Sequence, residues 1–283
     1  MNVHTYWRAL SRDHQQAMST STGPAPIDRL QSLLVVAASA LATLILMAAG
    51  GYRVGFDVVY GLGRFAPTAL VETFSKFGET LAAISLIALF AKRQPRALWM
   101  AALASVYAAL LTYLIKRLSH TARPPALLGD WVGVGDHVLR LYGFPSGHTV
   151  TAFVLAACLS VGAPRGIRLV LFSLAAAVGA SRVVIGAHWP IDVIAGAGVA
   201  GLSVGMAMTT MRFTRWGLGM APHLFLVSMV ALSAVLELVT GPQDSLARLL
   251  RVAVASVSVA LLARDYVYHP WLSGLRCRAG KPG

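Results

Sequence analysis

A chain of 283 residues that is 57% hydrophobic and only 12% charged lies far outside the composition of soluble domains. This excludes an ordinary water-soluble enzyme and specifies an integral membrane protein, since a hydrocarbon core of about 30 Å is crossed by about 20 apolar residues per helix. The net charge of +13 would suggest nucleic acid as the partner of a soluble protein; here its distribution between two membrane sides matters instead, and no nucleic acid is expected.

Residues 1-31 are polar, mixed in charge, and contain the linker "STSTGPAP". The first apolar run, 32-50, starts too late for a secretory signal and reads as an uncleaved anchor. After it, "GYRVGFDVVYGLGRFAPTALVETFSKFG", residues 51-78, mixes aromatics, glycines and charges. It is a candidate lid or interfacial platform that receives a lipid, with helices lying at the interface; an ordinary loop is the plain alternative. Further spans are predicted at 79-91, 97-115, 148-163, 167-181, 191-210, 221-239 and 246-263. The expected architecture is therefore all-α, a polytopic transmembrane bundle of six core spans plus two additional C-terminal ones. The predicted organisation is a cytoplasmic segment 1-31, a catalytic bundle 32-211, a transmembrane hairpin 212-264 and a basic cytoplasmic tail 265-283.

With alternating spans, 14 of the 24 lysines and arginines fall on the side of the two termini, which places both termini in the cytoplasm by the positive-inside rule. Cys158 lies within a span and Cys277 in the tail, so no disulfide framework is expected.

The unusual polar residues gather on the other side. They occur in "KRLSHTARPP" after the third span, "FPSGHT" at the start of the fourth, and "SRVVIGAHWPID" between the fifth and sixth. Ionisable groups near membrane depth are costly unless they are paired or serve a site. Pro190 suits a first helical turn, so Asp192 falls in the opening turn of the sixth span with His188 just before it. A carboxylate there accepts the Nδ1 proton and leaves Nε2 as a nucleophile; a histidine capping a helix is the alternative. Lys116 and Arg123 share a face if the helix continues that far. With Arg182 they can neutralise a phosphoryl dianion, although each taken singly reads as a lipid-headgroup contact. Ser146 is a good N-cap, Gly147 admits a ligand close to the backbone, and the free amides opening the fourth span suit an anion. His148 is placed to protonate a leaving alkoxide. Together these types point to phosphoryl transfer through a phosphohistidine, with no metal ligands and no cofactor required.

"K-x6-R-P" at Lys116 to Pro124, "P-S-G-H" at Pro145 to His148 and "S-R-x5-H-x3-D" at Ser181 to Asp192 resemble, in order and spacing, the signature of the type 2 phosphatidic acid phosphatase superfamily. The resemblance covers roughly residues 79-211. It implies a helical bundle with its site on the extracytoplasmic face of a bacterial-type inner membrane. Carried over, it makes His188 the nucleophile, Asp192 its partner and His148 the acid, with phosphate held by Lys116, Arg123, Arg182, Ser146 and the Gly147 amide. The substrate expected is a membrane lipid phosphate or diphosphate: undecaprenyl diphosphate, phosphatidic acid, phosphatidylglycerophosphate or a lipid A phosphate.

Vanadium-dependent haloperoxidases resemble the same signature and offer an oxidoreductase alternative; a transport or lipid-binding protein with a vestigial site is another. His188 must be neutral to attack and His148 protonated to donate, which predicts a bell-shaped pH profile; from histidine's ordinary pKa of about 6.5 the three cations lower both values, while Asp192 opposes this at His188. "GAGVAG", Gly196 to Gly201, imitates a dinucleotide fingerprint, but it lies in an apolar helix and reads as close helix packing. Glu79, with Lys76 nearby, borders the site. Glu237 reads as an interfacial residue, with burial beside a partner as the alternative.

Overall fold

The computed structural model describes residues 3–129, 140–240 and 246–272, and among the described residues the chain is helical with no strand. The polar N-terminal segment carries a helix, α1 (Val3–Thr20). Only 21–25 separates it from α2 (Pro26–Ala49). The first span starts ahead of its apolar run because Pro26 occupies the first turn and the Asp28 carboxylate accepts the Ala25 N–H at 2.7 Å, a combination that fixes a helix start.

The 51-78 segment contains α3 (Phe56–Gly63) and α4 (Thr68–Phe77). Next come α5 (Thr80–Leu86), extended by a 3-10 turn, then α6 (Pro95–Ser119) and the short α7 (Pro124–Leu128). The remainder is α8 (Gly147–Leu159), α9 (Arg165–Val184), α10 (Pro190–Thr210), α11 (Met220–Val239) and α12 (Leu246–Ala263), the last continuing through a π-helical turn at Arg264–Tyr268.

Six described helices are long and apolar enough to cross a membrane: those of α2, α6, α9, α10, α11 and α12. The spans expected at 79-91 and 148-163 are instead the shorter apolar helices Thr80–Leu89 and Gly147–Leu159. The 13 residues of α8 rise about 20 Å against a hydrocarbon core of about 30 Å.

Helix α10 runs through the centre, packed on α2, α6 and α8. Its small residues make this possible. A Cβ at Gly196 would lie 2.9 Å from the Ser146 carbonyl, one at Gly198 2.9 Å from Ser39 Cβ, and one at Gly201 3.0 Å from the Ser32 carbonyl. The glycines of "GAGVAG" are thus helix-crossing points. Met100, Ala104, Ala200 and Val204 fill the core beside them. The additional helices α11 and α12 pack on each other and on α5, and α12 also reaches α4. α3 and α4 both lie against α9, so the 51-78 segment is folded onto the bundle.

At the end away from the motif residues, α1 is strapped across the helix ends. Asp13 pairs with Lys92 at 3.0 Å, Ser21 donates to Gln94 at 3.0 Å, and the Tyr6 hydroxyl donates to the Tyr266 carbonyl. The 265-283 tail is helical as far as Leu272; Arg276, Cys277, Arg278 and Lys281 lie outside the described residues.

Candidate active site

Lys116 and Arg123 are not on one continuous helix. Arg123 precedes Pro124, which forces it into extended backbone (φ −81°, ψ 163°), and α6 has already ended at His120 in the left-handed region, φ 44°. The expected shared helical face is therefore absent. The bend nevertheless brings Arg123 inward. It becomes buried, donates from Nε to the Leu141 carbonyl at 3.2 Å, and places Nη1 3.4 Å from His188 Nε2. Lys116 Nζ donates to the Tyr142 carbonyl at 2.6 Å.

Asp192 sits in the first turn of α10, fully buried. Its Oδ2 accepts the Trp189 N–H at 3.0 Å and lies 3.2 Å from His188 Nδ1. The carboxylate therefore holds the Nδ1 proton and leaves the Nε2 lone pair toward Arg123. The loop carrying His188 is pinned by its own amide, which donates to the Arg182 carbonyl at 3.1 Å. Trp189 braces it with an indole bond to the Ala122 carbonyl at 2.8 Å and an edge contact on Phe56. Burial, followed by Arg123, Arg182, Lys116 and His148, holds the His188 imidazole well below its usual 6.5. It is neutral and ready to attack. Burial, absent from the sequence argument, is the largest cause.

Ser146 stands at the expected N-cap position of α8, yet its hydroxyl makes no capping bond. The Ser146 amide donates to the Asp192 carbonyl at 2.9 Å, tying two motifs together. Arg182, in the last turn of α9, donates from Nη1 to Ser75 Oγ at 2.5 Å. Ser146 Oγ and Arg182 Nε are buried with no hydrogen-bond partner among the described residues. Such orphans are rare and call for an explanation; here both are donors in a cluster of cations, which suits an anion. A Cβ on Gly147 would meet nothing within 4 Å, so this backbone faces open space. His148 follows it, within electrostatic reach of Arg182, Lys76, Arg123 and Lys116.

A cavity of about 590 Å³ borders this cluster, lined on that side by Glu79, Lys116, Gly147 and His148. Its walls then run between α5, α6 and α8, through Ala108, Ile84 and Val154 to Ala101. From Lys116 to Ala101 is about 22 Å along α6. The cavity is polar at its mouth and apolar along its depth, the shape of a lipid with a charged head.

All sequence-nominated site residues therefore converge. The sequence reading missed Ser75, which has no spacing signal. It also missed Gly143, where a Cβ would come within 3.2 Å of both Asp192 Oδ2 and Arg123 Cγ; a glycine adjoining "FPSGHT" was its available clue. Glu237 is not interfacial: it is fully buried and paired with Arg251.

A family model described as the PAP2 superfamily matches residues 96–216, a stretch that includes every nominated site residue. The lipid A 1-phosphatase of Rhizobium etli is 32% identical over 117 residues, 40% of this chain and 49% of that protein. Its counterpart from Rhizobium johnstonii is 33% identical over 120 residues, 40% of this chain and 46% of that protein. The chain spans about half the length of these curated relatives. The crystal structure of Aquifex aeolicus LpxE is similar at 26% identity, over 54% of this chain and 92% of that one, with a TM-score of 0.49.

Proposed function

We propose that this chain, whose residues 96–216 match the PAP2 superfamily model, is an integral membrane lipid phosphatase working through a phosphohistidine. The observation that carries the reading is the His188 imidazole, bonded to Asp192 through Nδ1 and presenting Nε2 to Arg123. Beside the motif cluster lies a cavity whose lining includes Lys116, Gly147 and His148.

In this reading the acyl chains occupy the cavity and the phosphate lies among Arg123, Arg182, Lys116, Ser146 Oγ and the Gly147 amide. His188 Nε2 attacks phosphorus, the bond to the lipid oxygen breaks, and His148 gives its proton to the leaving alkoxide. Water then attacks the phosphorus of phospho-His188, passes a proton to His148, and releases inorganic phosphate. Asp192 keeps the Nδ1 proton in place throughout. The cations stabilise the charge that builds on the phosphoryl oxygens, and the proposed steps use no metal.

Among the lipids considered, the names of the Rhizobium relatives favour a lipid A phosphate. The excess of basic residues on the side of the termini supports a site on the extracytoplasmic face of the inner membrane. The test is phosphate release by detergent-purified protein, with EDTA present, on lipid A, phosphatidic acid, phosphatidylglycerophosphate and undecaprenyl diphosphate. Release is expected, strongest on lipid A and absent from His188→Ala. Silence on every lipid from folded protein, or equal release by the variant, overturns the reading.

A further inference from the structure

The motif residues leave one set of charges unused. Glu237 in α11 is fully buried and accepts from Arg251 Nε of α12. Arg251 Nη1 lies 2.9 Å from Glu79 Oε2, and Glu79 Oε1 accepts from Lys76 Nζ at 2.9 Å. The four groups alternate in sign and balance. Fastening a hairpin requires no such chain, because Val230, Ala234, Ala255 and Leu262 already bury apolar surface on α11 and α12. Ionisable groups at this depth point to a site.

The chain of charges does lead to one. Glu79 lines the cavity mouth with Lys116, Gly147 and His148, and its carboxylate is within electrostatic reach of Arg182. Four residues earlier, Ser75 holds the Arg182 guanidinium. Between them Gly78 lies against His148, where a Cβ would come within 2.8 Å of the histidine Cβ. The stretch 75–79 thus touches or faces two motif residues on one side and is gripped by Arg251 on the other.

We propose that Arg251, anchored by Glu237, is a positioning residue for the phosphate site. It occupies the Glu79 carboxylate and so keeps it from neutralising Arg182, whose Nε is buried without a hydrogen-bond partner among the described residues. The additional hairpin then belongs to the working site, although it lies beyond the family match. This rests on the phosphatase reading above.

The test measures binding of inorganic phosphate to the full-length detergent-purified protein by isothermal titration calorimetry, beside thermal unfolding. The wild-type chain should bind phosphate and Arg182→Ala should not. The double variant Arg251→Met/Glu237→Met replaces the buried pair by apolar groups of similar length, which commonly preserves folding. Its Kd should rise about five- to tenfold, the size of a coupling carried through an intermediate group. Adding Glu79→Gln removes the competing charge and should restore Kd to within about twofold, a rescue that a packing defect would not show. If the double variant does not fold, Arg251→Lys stands in, with a smaller rise in Kd expected and the same rescue. An unchanged Kd in the folded variant, or a rise that Glu79→Gln does not reverse, overturns this proposal alone. Absence of phosphate binding by the wild-type chain overturns it together with the site reading.

Discussion

Two arginines of helix α9, Arg168 and Arg182, lie near its opposite ends and are held in opposite ways. Arg168 pairs with the buried Asp28 carboxylate at 2.5 Å, donates to Gln31 at 2.8 Å, and donates from Nε to the Ala163 carbonyl at 2.8 Å. Arg182, about 21 Å along the same helix, bonds the neutral Ser75 hydroxyl and leaves Nε without a partner among the described residues. The contrast extends to the lysines: Lys92 meets the carboxylate of Asp13, whereas Lys116 meets a backbone carbonyl. At one end of the bundle Asp28 holds Arg168 and Asp13 holds Lys92, which ties α2 to α9 and α1 to the turn before α6, while Arg96 Nε there has no hydrogen-bond partner among the described residues. The other end gathers cations around a neutral histidine and leaves donors open, an arrangement that is costly unless an anion completes it.

The sharpest way to break this comparison is to remove each arginine in turn. Arg182→Ala should lower kcat/KM for phosphate release about 10²–10³-fold, as loss of a charge-stabilising donor does, with the unfolding temperature in detergent nearly unchanged. Arg168→Ala should do the reverse. It strands a buried carboxylate, for which about 3–5 kcal/mol of stability is lost, while turnover per folded molecule is retained. Equal loss of turnover in both variants would dissolve the distinction between clamp and site.

A second test reads the charge at the site through pH. Only neutral His188 can attack, so activity disappears as pH falls through its pKa in the free enzyme. Burial and the surrounding cations depress that pKa, so the acid limb of kcat/KM should lie below pH 6.5. Arg123→Gln removes one of the depressing charges and should move the limb upward in pH while lowering the maximum. A wild-type limb at or above 6.5 would mean that the histidine is not held as the structure places it.

The parts of this site legible in the sequence are those fixed by short-range geometry. His188 and Asp192 straddle a proline that starts a helix, and Ser146, Gly147 and His148 open another; a local rule settles each. Arg123 reaches the cluster by a different route from the one its spacing suggests, because a left-handed turn at His120 delivers it where a continuous helix would not. Glu237 was misread for a physical reason. A carboxylate near the end of a span looks the same beside lipid headgroups as beside Arg251, and only the tertiary register of α11 on α12 distinguishes them. The same holds for Ser75, whose bond to Arg182 depends on how α4 lies on α9. Helices were expected in the segment of α3 and α4, but their packing on α9 was not legible, because short helices interrupted by glycine and proline carry no long apolar period to show which neighbour they meet. The all-α bundle itself was plain, since apolar runs of span length leave little else for the chain to do.

The smallest expected effect separates a glycine read as a packing point from one read as admitting a ligand. Gly196 and Gly147 both lie within helices of the site, but a Cβ on Gly196 would press within 2.9 Å of the Ser146 carbonyl, while one on Gly147 meets nothing within 4 Å. Gly196→Ala should therefore destabilise by about 1–3 kcal/mol through overpacking. Gly147→Ala should leave stability within about 0.5 kcal/mol of wild type, because the added methyl projects into space that the reading gives to substrate. Its effect should appear in KM, roughly threefold higher in lipid phosphate hydrolysis at nearly constant kcat, the signature of weakened uniform binding. A Gly147→Ala protein with unaltered KM would place the substrate away from the α8 amides and leave the cations to hold the phosphate alone.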